Sequence, residues 1–96
     1  MSIETIISQR ERTHGSFVKT AQTAQAFKSL ITCEIENSRH YFEASQVEAL
    51  EMIATKLARI LNGDPNHFDS WIDIAGYATL AAELILKKEQ QDGGVS

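Results

Sequence analysis

The stretch KLARILNGDPNHFDSWIDIAGY, residues 56–77, decides the fold because it sets two helical patterns on either side of a short polar turn. The first pattern ends at Asn62-Gly63, a pair that favours a left-handed cap at the end of a helix. A connection this short makes the two helices run antiparallel. We therefore predict a helical hairpin whose helices cover about residues 46–62 and 67–88.

The start of the first hairpin helix is marked by a capping pattern. Ser45 stands three residues before Glu48, which is the spacing of a capping box. Behind this start, apolar residues recur at three- and four-residue spacing and form one face of the helix: Val47, Leu50, Ile53, Leu57 and Ile60. We predict that Ser45 caps the helix.

Two further helices are predicted before the hairpin, because apolar residues recur there at helical spacing as well. The first covers about residues 2–12, with Ser2 as its cap, and ends where Gly15 allows the chain to turn. One side of it carries Ile3, Ile6, Ile7 and Arg10. The second covers about residues 17–35, and its inner face carries Val18, Ala21, Ala24, Phe27 or Lys28, and Ile31. The sequence thus predicts an all-α protein, a small helical bundle.

Length and composition limit the number of domains and the classes of partner. A chain of 96 residues with 43% hydrophobic residues forms one domain with a modest core. We predict a single helical domain over residues 1–90 and a flexible tail over residues 91–96. No apolar run approaches the roughly 20 residues of a membrane span. A net charge of −4 lacks the basic field of a nucleic-acid binder, so neither membrane nor nucleic acid is an expected partner.

The cellular compartment is predicted from cysteine and from the start of the chain. The single cysteine, Cys33, cannot form an intrachain disulfide. No charged and then apolar leader precedes the first helix. We therefore expect a cytoplasmic protein.

The last helix is apolar on nearly every side over four turns, from Trp71 to Leu86. Such a helix needs neighbours all round, and a chain this short supplies few of them. We predict a homo-oligomer in which Ala78, Ala81 and Ala82 allow close approach. The alternative is a central helix buried within a monomeric bundle.

Charged residues meet across the predicted hairpin. Counting outward from the turn at equal rise per residue places Arg59 level with Asp69, and Lys56 level with Asp73 one turn deeper. Two interpretations stay open: ion pairs that fix the register of the helices, or a binding site. Polar side chains that would complete a site are Thr13, His14, His67 and Tyr77. Whether the loop around residue 14 reaches the hairpin is not decided by the sequence.

Three stretches carry a resemblance to a known family: RTHGSF at 12–17, ALEMIATKLARILNG at 49–63 and HFDSWIDIAGYATL at 67–80. Together they resemble a family of small phage-encoded proteins. Those proteins in turn resemble the all-α nucleotide pyrophosphohydrolases called MazG-like.

The MazG-like resemblance implies a bundle assembled as a dimer or tetramer, which cleaves a nucleoside triphosphate to monophosphate and pyrophosphate with magnesium. Glu-x-x-Glu on one helix and Glu-x-x-Asp on the next hold the metal in that family. Here Glu48 and Glu51 match the first pair, but the capping box already uses Glu48. Asp69 and Asp73 replace the second pair with a different spacing, and two cations stand beside them.

Cations in place of clustered acids favour binding of phosphate oxygens over binding of magnesium. Our lead hypothesis is a phage nucleotide-binding protein of the infected bacterial cytoplasm, with no assigned catalytic residue, metal ligand or cofactor. It would sequester a nucleotide-derived immune second messenger, a cyclic oligonucleotide or an ADP-ribose-type signal, without hydrolysing it. The predicted ligand-binding residues are Lys56 and Arg59 for phosphate, Asp69 and Asp73 for the cations or ribose hydroxyls, and Thr13, His14, His67 and Tyr77 for base or sugar.

Two alternatives are kept. In the first, the protein is a magnesium-dependent pyrophosphohydrolase in which Glu51, Asp69 and Asp73 hold the metal and Lys56 steadies the leaving phosphate. In the second, it is a structural or protein-interaction module whose hairpin charges only set the register.

Overall fold

The computed structural model describes residues 2–92, which form four α-helices. They are α1 (Ile3–His14), α2 (Phe17–Glu36), α3 (Ala44–Asn62) and α4 (Phe68–Asp92). No strand occurs within the described residues, so the predicted all-α bundle is confirmed. None of the helices in this part of the chain is long and apolar enough to cross a bilayer. The predicted tail lies outside the described residues from residue 93 onward.

The predicted hairpin is formed by α3 and α4, and both helices are longer than expected. α3 begins at Ala44 and α4 continues to Asp92, past the predicted end at residue 88. Side chains at the start of α4 hold the connecting turn. The indole N–H of Trp71 donates to the Pro65 carbonyl oxygen at 2.8 Å, and His67 Nδ1 lies 3.1 Å from Ser70 Oγ.

The predicted capping box at Ser45 and Glu48 is wrong. The capping box of α3 is formed by Glu43 and Gln46, and the backbone N–H of Glu43 donates to Gln46 Oε1 at 2.9 Å. Both pairs have the three-residue spacing, but only Glu43 has the extended backbone of a cap, with ψ at 152°. Ser45 is already inside the helix, which leaves Glu48 free on the surface.

The helices form a layer with α3 in the middle. α2 and α4 pack on opposite sides of α3 without touching each other, while α1 contacts α2 and α3. The core between the helices consists mainly of small residues, which lets the backbones approach closely: Ala24, Ala49, Ala54, Ala58 and Ile60.

The turn between α1 and α2 lies directly on the turn between α3 and α4. The backbone N–H of Asp64 donates to the Thr13 carbonyl oxygen at 2.9 Å. A Cβ on Gly15 would collide with the Asn62 carbonyl group, and a Cβ on Gly63 would collide with the backbone of Thr13. We call this backbone contact the two-turn contact. It answers the question that the sequence left open, because the loop around residue 14 does reach the hairpin.

The left-handed cap predicted at Asn62-Gly63 is also wrong. Gly63 has φ −122° and ψ −136°, whereas the positive φ belongs to Gly15, at 81°. Gly63 is required for space rather than for its backbone angle, because the first turn leaves no room for a side chain there.

We predict that Gly63→Ala lowers the free energy of unfolding by about 2 kcal/mol, because the added Cβ forces two backbones apart. Urea unfolding at equilibrium measures the change. Asn66→Ala is the matched control in the same turn: the Asn66 side chain is exposed, and the change is expected to stay within about 0.5 kcal/mol. Equal effects of the two substitutions would contradict the two-turn contact.

Candidate anion-binding site

One of the two charge pairs predicted across the hairpin is present. Lys56 Nζ lies 2.9 Å from Asp73 Oδ2, with 12% of the lysine side chain and 46% of the aspartate side chain exposed. The pair joins α3 to α4 at the predicted register. Lys56 is therefore engaged within the chain, as the purely structural interpretation requires.

The second predicted pair, Arg59 with Asp69, is not formed. Asp69 is exposed on the first turn of α4, while Arg59 lines a cavity on the side of α3 that faces α1 and α2. Equal rise per residue gives the levels of these residues along the hairpin, but not the side of its own helix on which each residue lies. The two-turn contact brings α1 within reach of Arg59, and no ion pair of Arg59 occurs within residues 2–92.

The cavity that Arg59 lines has a volume of about 540 Å³ and lies between α1, α2 and α3. We call it the basic cavity. Its volume lies within the range of about 300–1,000 Å³ that small-molecule sites occupy. Its polar side chains come from all three helices: Arg10, Glu11 and His14 from α1, Thr20, Gln25 and Lys28 from α2, and Thr55 and Arg59 from α3.

Positive charge in the basic cavity exceeds the negative charge among the residues that line it. Three cations, Arg10, Lys28 and Arg59, stand there with one carboxylate, Glu11, while Lys28 also borders the adjoining groove that contains Glu36 and Glu51. None of the three cations forms an ion pair in the part of the chain that the structure describes. The chain as a whole carries a charge of −4, so this is a local concentration of positive charge on an acidic protein. Such a field attracts anions.

His14 lies within the same concentration of positive charge. Its pKa is lowered from the ordinary 6.5, first by burial, then by the charges of Arg59 and Arg10, and further by His67 and Lys56. The imidazole rings of His14 and His67 meet edge to face, with centroids 5.3 Å apart. Nδ1 of His14 is buried and has no hydrogen-bond partner among residues 2–92. A neutral ring with an unused nitrogen therefore lies in the wall of the basic cavity.

Of the eight residues predicted to bind ligand, His14 and Arg59 line the basic cavity and the others do not. Thr13 contributes its backbone to the two-turn contact, and its hydroxyl donates to the Gln9 carbonyl oxygen at 3.2 Å. His67 reaches the wall only through its contact with the His14 ring. The remaining predicted residues lie along the hairpin outside the cavity: Lys56, Asp69, Asp73 and Tyr77.

Sequence reasoning missed two of the three cations. Arg10 shares the apolar side of α1 with Ile7, and Lys28 stands where the inner face of α2 was predicted. A charge on a core-facing position of a helix is the signal that was available, because such residues are seldom buried without a partner. Gln25 and Thr55 carried no comparable signal.

The carboxylates assigned to magnesium in the enzyme alternative are not brought together within one chain. Glu51 lines a polar groove with α2 residues, whereas Asp69 and Asp73 are on α4, which does not touch α2. Among residues 2–92, no group of three or more His, Cys, Asp or Glu side chains is placed to hold a metal ion.

A larger groove, of about 860 Å³, lies at the other end of the molecule between the segment before α3 and the end of α4. Its walls are mostly apolar, with Tyr41, Leu84 and Ile85, and the Glu43–Lys88 ion pair at 3.4 Å crosses it. It contains none of the predicted ligand-binding residues. The basic cavity is therefore the better candidate for a charged ligand.

The lowered pKa of His14 predicts a pH dependence of stability. Unfolded chains take up a proton on this histidine as the pH falls through 6.5, whereas the folded chain resists protonation until a lower pH. The free energy of unfolding should therefore decrease as the pH falls from above 6.5 toward the lowered pKa. Urea unfolding of the wild type and of His14→Gln tests this, with His40→Gln, an exposed histidine, as control. An identical pH dependence in His14→Gln would contradict the assignment.

Comparison with known proteins gives a family. The model of a family described as a domain of unknown function, DUF6378, matches residues 2–85. No curated protein and no solved structure matches the chain. The matched segment contains α1, α2, α3 and most of α4, and with them every residue of the basic cavity. The chain therefore belongs to the DUF6378 family.

Proposed function

We propose that this protein binds a nucleotide in the basic cavity without hydrolysing it. The observation that carries the proposal is the convergence of Arg10, Lys28 and Arg59, none of them paired within residues 2–92, on one cavity of about 540 Å³. An anion in the cavity would accept charged hydrogen bonds from more than one of these cations, and a phosphate or diphosphate group has the charge and the oxygens to do so.

Arginine at two of the three positions favours phosphate in particular. A guanidinium group presents parallel N–H donors that match two phosphate oxygens, while Lys28 acts as a point charge. The start of α2 adds a weaker attraction, because its cap residue Ser16 makes no side-chain hydrogen bond to the first free N–H groups. Those groups carry the positive end of the helix dipole. Gly15 and Phe17, on either side of Ser16, both line the cavity.

The wall of the basic cavity also carries groups suited to a base and a sugar. Phe17 is 78% exposed although it lines the cavity, so its ring is available for stacking on a base. Gln25 and Thr55 offer an amide and a hydroxyl to sugar or base. A phosphate group beside a stacking ring and neutral polar groups is the combination that a nucleotide uses.

The resemblance to phage proteins leads us to propose the finer class of ligand. We expect a nucleotide-derived immune second messenger, a cyclic oligonucleotide or an ADP-ribose-type signal, held intact in the cytoplasm of an infected bacterium. Sequestration needs high affinity and slow release rather than chemistry. Bidentate hydrogen bonds from Arg10 and Arg59 to phosphate, together with stacking of a base on Phe17, would give high affinity and slow release.

A magnesium-dependent nucleotide pyrophosphohydrolase is the second candidate, and one observation favours it. The polar groove that contains Glu51 continues from the basic cavity, since Gln25 and Lys28 line both. A nucleotide bound by its phosphates would therefore lie near a carboxylate of the Glu-x-x-Glu pair. This proposal rests on the MazG-like resemblance and requires further carboxylates close to Glu51.

Native mass spectrometry of the purified protein distinguishes the candidates. The panel consists of cyclic dinucleotides, cyclic trinucleotides, ADP-ribose and nucleoside triphosphates, each with and without magnesium. We expect an intact ligand retained without metal. Conversion of a triphosphate to monophosphate only with magnesium would support the enzyme instead. The absence of both retention and conversion of any nucleotide under every condition would contradict both candidates and favour a structural module.

Substitutions test whether the basic cavity is the binding site. We predict that Arg10→Gln and Arg59→Gln each weaken binding of the retained nucleotide by at least about tenfold, because each removes a charged hydrogen-bond donor. Isothermal titration calorimetry measures the affinity. Arg12→Gln is the matched control, since Arg12 is exposed on the same helix and does not line the cavity.

Equal loss of affinity in Arg12→Gln would show a general charge effect and contradict the proposed site.

The variant Lys56→Met distinguishes binding in the basic cavity from binding at the hairpin charges, because Lys56 is paired with Asp73 and does not line the cavity. We expect this variant to lose much less affinity than Arg59→Gln. A larger loss of affinity in Lys56→Met than in Arg59→Gln would place the ligand at the charged residues of the hairpin instead.

A further inference from the structure

The far sides of α4 are covered by no other part of the described chain. α4 packs against α3 alone. Large apolar side chains of α4 between residues 68 and 86 are exposed: Phe68, Trp71, Ile72, Leu80, Leu84, Ile85 and Leu86. Of these, Leu84 and Ile85 also line the groove between α4 and the segment before α3. An apolar surface that runs along a helix for several turns marks an interaction site.

The single chain is also more extended than a monomeric domain of its size. Its radius of gyration is 16.8 Å, whereas a compact domain of about 100 residues has about 13 Å. Its accessible surface is 7141 Å², against about 5,500 Å² for a folded monomer of this mass. The difference exceeds the roughly 800 Å² that each partner buries in a standard interface. One chain therefore has enough surplus surface for a stable dimer.

Gly76 is a second and independent observation on the same helix. It lies in the middle of α4, where glycine destabilises a helix relative to alanine. A Cβ at this position would meet nothing within 4 Å, so no contact with the described residues 2–92 requires a glycine. Glycine would favour close approach of a helix from a second chain, since a side chain would hold the two backbones apart.

The residues around Gly76 form a self-complementary patch. Ile72 and Leu80 lie one turn before and one turn after it, and both are about half exposed. The patch thus has two protruding side chains, Ile72 and Leu80, at equal distances from the gap that Gly76 leaves between them. A twofold axis through Gly76 would place Ile72 of each copy beside Leu80 of the other. Surfaces of this kind pair with themselves, as isologous interfaces do.

We propose that a second copy of this chain packs against α4, with the two α4 helices crossing at Gly76 about a twofold axis. The crossing is oblique because Asp69 and Glu83 lie two turns to either side of Gly76 on the same face. Aligned helices would bring these carboxylates of the two copies together. A crossing of about −50°, common for packed helices, separates them.

This interface is independent of the proposed nucleotide site. No residue of α4 lines the basic cavity. A dimer through Gly76 therefore leaves the cavity open, and a failure of one proposal leaves the other standing.

Sedimentation velocity of the full chain tests the interface. We expect the wild type to associate, and Gly76→Leu to raise the dimer dissociation constant by at least about tenfold. Gln22→Leu is the control, because it adds the same side chain to an exposed position of α2. A monomeric wild type, or unchanged association of Gly76→Leu, would overturn the proposal. Circular dichroism checks that each variant is folded.

Disulfide trapping keeps the proposal testable if Gly76→Leu fails to fold. The exposed Cys33 is first changed to serine. Gly76→Cys in that background should form a covalent dimer on mild oxidation, because crossing at this residue brings the two Cα atoms within the roughly 7 Å that a disulfide spans. Gln22→Cys should stay monomeric. Failure of Gly76→Cys to form a covalent dimer, or equal trapping of both variants, would overturn the crossing at Gly76.

Discussion

The contact between the two turns is the constraint on which the rest of the structure depends. Gly15 lies against the Asn62 carbonyl and Gly63 against the backbone of Thr13, with the Asp64–Thr13 hydrogen bond between them. Side chains at either glycine would separate the turns. α1 has no buried residue of its own, so this contact does much to hold it against the bundle. Without it, α1 would not close the basic cavity, and Arg10 and His14 would not face Arg59.

The cavity concentrates charge that the fold does not neutralise. Lys56 has Asp73 as its partner across the hairpin, whereas Arg59, only three residues further on, has no partner within residues 2–92 and faces Arg10 and Lys28. The helix α3 therefore carries Lys56, whose charge is paired across the hairpin, and Arg59, whose guanidinium group can bind a ligand. The pKa of His14 is lowered first by burial and then by the positive charges of Arg59 and Arg10 in the same arrangement.

Periodicity predicted the four helices, the hairpin and the Lys56–Asp73 register, because these depend on neighbours along one or two adjacent helices. It did not predict that Arg59 would face α1 and α2 rather than Asp69, because equal rise gives the level of a residue along the hairpin but not the side of the helix on which it lies. The capping box was misplaced for a different reason: Ser45–Glu48 and Glu43–Gln46 have the same spacing, and only the backbone angles separate them. Gly63 was correctly singled out, but its role is space for the first turn and not a left-handed cap.

We propose that a phosphate-bearing ligand occupies the cavity built by the two-turn contact. Titration of ¹⁵N-labelled protein with ADP-ribose, followed by amide chemical shifts, tests it most directly. We expect saturable shifts at the amides of His14, Gly15, Thr20 and Thr55, with little change over residues 69–77. Saturable shifts confined to residues 69–77 would place the ligand on the hairpin charges and contradict it.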